Sequence, residues 1–97
     1  MLSLLLCSPN EIVEGIGSRA KDARLALRLT RKSLAVRSGV PEPTIKRFET
    51  TGHIGTEALV NIALALDMAR GLDTLFEAKP IQTLHAAMAQ KRRRGVL

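Results

Sequence analysis

The sequence predicts an all-α fold, and three observations lead there. Leu and Ala dominate an apolar fraction of 45%, while aromatic residues make up only 2%, a composition that favours helices over strands. Apolar residues recur at three- and four-residue spacing rather than in strict alternation. Gly39, Pro41, Gly52, Gly71 and Pro80 cut the chain into short pieces, as stops and starts between packed helices do. With 97 residues, the chain suits one domain around a single modest core.

Ser8-Pro9-Asn10-Glu11 reads as a helix start. Ser8 caps, Pro9 takes the first helical position, and Glu11 follows the cap by three residues. The first helix is expected to run to about Leu29, with Ile12, Ile16, Ala20, Ala23 and Leu27 as its apolar stripe. Gly15 and Gly17 weaken its early turns and allow a break near 15–17. Thr30 is the cap of a second helix, Arg31–Ser38, which turns Leu34 and Ala35 inward. Gly39 ends it, because a left-handed backbone costs glycine little. Val40 then serves as a core plug. Proline is tolerated only in a first turn, so Pro41 and Pro43 start a third helix at about Glu42. That helix extends to Thr50 and buries Ile45 and Phe48. After a loop over 51–55, Thr56 is expected to cap a fourth helix, about Glu57–Asp67, striped by Leu59, Ile62, Ala63 and Leu66. A short fifth helix is expected at Leu72–Glu77, presenting Leu72, Leu75 and Phe76. Thr83 to about Lys91 is a candidate sixth. The chain thus divides into an N-terminal extension (1–8), a helical domain (9–79) and a basic C-terminal extension (80–97).

Charge is partitioned along this frame. Residues 1–47 hold nine basic and four acidic groups, residues 48–79 two and five, and residues 80–97 four and none. The formal net charge of +6 therefore sits in two basic zones around an acidic middle, which points to a polyanionic partner. Solubility charge is the bland alternative. A lone Cys7 fits a reducing compartment, and a cytoplasmic location is expected. Met1–Cys7 is apolar but too short to span a bilayer, so no membrane role is expected. The apolar Met1–Leu6 stretch reads as a dimer contact, with a frayed end as the alternative. His53 and His85 make no zinc pattern with Cys7. Paired carboxylates, a nucleophile–base pair and a phosphate loop are likewise missing, so neither enzyme activity nor a cofactor is expected.

The segment from Leu29 to Glu49 is the most informative. Small Ala35 admits a close neighbour, Gly39 makes a sharp turn, and Val40 with Ile45 lock two helices together. The solvent edge of the third helix then carries Glu42, Pro43, Thr44, Lys46 and Arg47. This is the layout of a helix-turn-helix domain, whose second helix fits a major groove.

Four stretches resemble the Xre/Cro (phage-repressor) helix-turn-helix family. These are Leu29-Thr30-Arg31 with Leu34-Ala35, Gly39-Val40-Pro41 with Thr44 to Glu49, Leu59 to Leu66, and Leu72 to Phe76. They stand in the family's order and cover about residues 16–76. The resemblance implies a five-helix domain, a homodimer and double-stranded DNA with an inverted-repeat operator. It also implies a partly buried salt bridge between Arg24 and Glu49. Three departures stand out: Arg31 replaces the family's phosphate-touching Gln, Pro41 replaces its capping Ser, and glycine is delayed to Gly52. A narrower stretch, Phe48-Glu49-Thr50-Thr51-Gly52-His53-Ile54, is similar to a subgroup of HipB-like antitoxins that partner HipA-type kinase toxins. That likeness implies an autoregulating antitoxin bound to a kinase toxin.

On this reading Arg47 is the first candidate for a base contact, its fork matching guanine O6 and N7, with phosphate contact or solvation as the alternatives. Lys46 reads as a phosphate or edge contact. Glu42 either accepts from cytosine N4 or simply favours a helix N-terminus. Pro43 offers contact to a thymine methyl or merely starts the helix. Thr44 binds phosphate or is half-buried. Arg31, Lys32 and Arg37 are phosphate candidates, with a solvated charge as the alternative for each. The Lys91–Arg94 run touches DNA or an acidic partner, or is a free charged end. The competing functions are a stand-alone regulator without a toxin, and a protein-interaction module that no longer reads DNA.

Overall fold

The computed structural model describes residues 7–78. Within them lie four helices and no strand: α1 (Pro9–Ala26), α2 (Arg31–Ser38), α3 (Glu42–Thr51) and α4 (Thr56–Ala65). The chain is therefore all-α across the described residues. The segment 1–6, the candidate sixth helix and the Lys91–Arg94 run lie outside them.

α1 begins with a reciprocal cap. The Glu11 N–H donates to Ser8 Oγ at 3.2 Å, and the Ser8 N–H donates to Glu11 Oε1 at 3.1 Å. The helix passes through Gly15 and Gly17 unbroken. Gly17 is small for a packing reason. A Cβ on it would stand 2.1 Å from the Phe48 carbonyl oxygen, and a Cβ on Gly52 would stand 2.1 Å from that of Val13. The backbone of α1 thus lies directly against the C-terminal end of α3. α1 stops at Ala26, short of the expected Leu29, because Arg28 turns left-handed (φ 57°). The Leu29 N–H then closes back onto the Arg24 carbonyl at 3.1 Å.

α2 is capped by Thr30, whose Oγ1 accepts from the Ser33 N–H at 3.0 Å. It ends at Gly39, with φ 74° and ψ 9°. Three residues, Gly39-Val40-Pro41, connect it to α3. The Ser38 hydroxyl braces that turn by donating to the Leu34 carbonyl at 2.7 Å and accepting from the Val40 N–H at 3.1 Å. Pro41 gives α3 no side-chain cap, and Glu42 supplies a negative charge in the first turn, where the helix dipole favours it.

Three expectations fail after α3. The N-cap of α4 is Gly55, and Thr56 is the first helical residue. The helix also ends at Ala65, with Asp67 left-handed (φ 57°). The fifth helix, Leu72–Glu77, is instead a run of turns closed by three-residue bonds: Leu72 N–H to Ala69 O, Leu75 to Leu72, and Glu77 to Thr74. The stretch from Gly71 to Pro80 is too short to repay helix nucleation without firm packing. Among the described residues that packing is slight: Leu75 is exposed, and Phe76 is 98% exposed at φ 68°.

The core is Leu34, Val40, Ile45, Phe48, Ile62 and Leu66. α3 packs against α1 and α2, and α2 also packs against α4. Ala20 and Ala23 of α1 join this core, whereas Ile12, Ile16 and Leu27 of the expected stripe stay exposed. Among the described residues, no helix is long and apolar enough to cross a membrane.

Candidate nucleic-acid interface

α3 is amphipathic in a specific way. Ile45, Phe48 and Glu49 are buried, whereas Glu42, Pro43, Lys46, Arg47 and Thr50 are exposed and Thr44 is half-buried. Pro43, Lys46, Arg47 and Thr50 recur at three- and four-residue spacing, so they share one face. Neither Lys46 nor Arg47 enters an ion pair among the described residues. The hydroxyls of Thr50 and Thr51 both donate to the Arg47 carbonyl, at 3.1 and 2.7 Å, and satisfy the C-terminal end of the helix. α2 contributes exposed Lys32 and Arg37. The structure thus presents exposed basic side chains on α3 and on α2, two helices packed against each other.

A buried carboxylate ties this surface to the fold. Glu49, with its side chain 1% exposed, accepts from Arg24 Nε at 2.7 Å and Arg24 Nη2 at 3.0 Å. The remaining nitrogen of that guanidinium, Nη1, donates to the Leu29 carbonyl at 2.8 Å. Each nitrogen of Arg24 is therefore bonded inside the protein. Arg31 adds a third member, its Nε donating to Glu49 Oε1 at 2.9 Å. Burial pushes the Glu49 carboxyl upward. The hydrogen bonds and charges of Arg24 and Arg31 outweigh that and hold it below the ordinary carboxylate range. Among the described residues, no buried side-chain nitrogen or oxygen lacks a partner.

Arg31, read from the sequence as a phosphate contact or a solvated charge, has its Nε committed to Glu49, with its side chain 27% exposed. The signal was present in the departure from Gln to Arg at this position, but which carboxylate it would meet depends on how α2 crosses α3. Glu42, Pro43, Thr44, Lys46 and Arg47 lie along α3, and Lys32 and Arg37 along α2. No protein-family model matches the chain, and no curated protein matches it.

Proposed function

We propose that the chain is a sequence-specific DNA-binding repressor of the Xre/Cro helix-turn-helix type, acting as a homodimer on an inverted repeat. One observation carries this reading: α3 leaves Pro43, Lys46 and Arg47 open on one face, while its other face is locked into the core through Ile45, Phe48 and Glu49. A rigid helix with a free basic edge can enter the major groove with its first turns at the base edges. Arg47 would pair with guanine, and Lys32, Arg37 and Lys46 would hold flanking phosphates. The finer reading, an autoregulating antitoxin that also binds a HipA-like kinase toxin, rests on the Phe48–Ile54 likeness.

Selection from a random duplex pool tests the first reading. Enrichment of an inverted repeat with half-site centres about one helical turn apart is the expected result. Loss of that binding in a Lys46→Ala/Arg47→Ala variant places the contact on α3. An unenriched pool at low salt contradicts the proposal. Co-purification with a kinase encoded beside this chain tests the antitoxin version, and unaffected kinase activity in the mixture removes it.

A further inference from the structure

The Glu49 carboxylate faces two guanidinium groups of different standing. Arg24 uses Nε, Nη1 and Nη2 within the protein. Arg31 uses only Nε, and no described group takes its Nη atoms. Two cations share one anion, so one positive charge is left over, and its free end belongs to the half-exposed member of the pair. A guanidinium can be held at Nε while its Nη edge stays available, because its five donors sit in a fixed plane. A lysine at the same place has one ammonium and no second edge.

We infer that Glu49 is a positioning residue for DNA binding. It fixes the Arg31 side chain at the start of α2 so that its Nη edge clamps a backbone phosphate. This rests on the DNA-binding reading above and goes beyond it. The same carboxylate that locks α1 to α3 through Arg24 also orients a phosphate contact on α2. The clamp is pre-ordered, so less side-chain freedom is lost when the phosphate arrives. It also requires arginine rather than any cation.

The test uses the full chain and a fluorescein-labelled duplex of mixed sequence, since non-specific binding reads phosphate contacts without knowledge of an operator. Affinity is followed from 50 to 200 mM salt. Arg31→Ala is expected to lower the slope of log K against log salt by about 0.9 per protomer, and to weaken binding roughly tenfold near 100 mM. Arg31→Lys is expected to behave like the alanine variant despite keeping its charge. Glu49→Gln is expected to weaken binding in the native background and to add nothing on top of Arg31→Ala. A lysine variant with native affinity and slope overturns the inference, as does a Glu49→Gln penalty of equal size in both backgrounds. Should Glu49→Gln fail to fold, the lysine variant decides alone. If Lys46→Ala/Arg47→Ala abolishes binding while Arg31→Ala leaves it native, the clamp fails and the DNA reading stands. If the native chain binds no duplex at 50 mM salt, both fail together.

Discussion

At the scale of single residues, the Arg24–Glu49–Arg31 cluster joins stability to the candidate interface. Removing one member of a buried pair leaves a stranded charge, which is far more damaging than replacing both. Glu49→Leu strands buried Arg24 and is expected to cost about 3–5 kcal/mol in urea unfolding. Arg24→Met should cost less, because Arg31 still faces the carboxylate. Arg24→Met combined with Glu49→Leu should recover most of the loss. Acid gives an independent check. The Glu49 carboxyl is held below its ordinary range in the folded state, so the folded chain binds fewer protons than the unfolded one. The resulting stabilisation is complete at neutral pH. It disappears as pH falls from the ordinary carboxylate range through the depressed folded value. Urea midpoints across that window should fall more steeply for the native chain than for Glu49→Gln, and parallel curves would contradict the assignment.

At the scale of elements, caps and turns separate what the sequence made legible from what it did not. The starts of α1 and α2 were readable because Ser8, Glu11 and Thr30 are local signals whose partners lie three residues away. The end of α2 was readable from Gly39 alone. Places where tertiary contact decides were not. Gly17 looks like a weak point in a helix, and only the approach of α3 shows it to be a packing glycine. The left-handed turns at Arg28 and Asp67 fall on residues with no strong preference for them, so the ends of α1 and α4 were misplaced. Leu72–Glu77 has apolar residues at helical spacing, yet among the described residues its Leu75 and Phe76 stay exposed.

The glycines allow a direct comparison at this scale. Gly39→Ala meets no neighbouring atom within 4 Å and should cost only the left-handed penalty, about 1–2 kcal/mol. Gly17→Ala drives a methyl into the Phe48 carbonyl and should cost about 3 kcal/mol through forced separation of α1 from α3. Ser8→Ala should cost about 1 kcal/mol by opening the reciprocal cap. Thermal or urea unfolding ranks the three, and a Gly39→Ala loss as large as that of Gly17→Ala would refute the steric argument.

At the scale of the whole molecule, two basic zones flank an acidic middle. The first of them contains every DNA-contact candidate on α2 and α3. If a dimer neutralises six to ten phosphates, affinity should fall by roughly three to five decades between 50 and 200 mM salt. The charge partition and the order of the helices were legible in the sequence. The sharing of Glu49 was not, because it depends on how three consecutive helices cross. Titrating the ¹⁵N-labelled chain with a duplex carrying a selected inverted repeat tests the central claim most directly. The account expects amide shifts concentrated at Arg31–Lys32 and at Glu42–Arg47, with the α1 surface around Ile12 and Ile16 little changed. Shifts gathered on α1 or α4, with Glu42–Arg47 undisturbed, would contradict it.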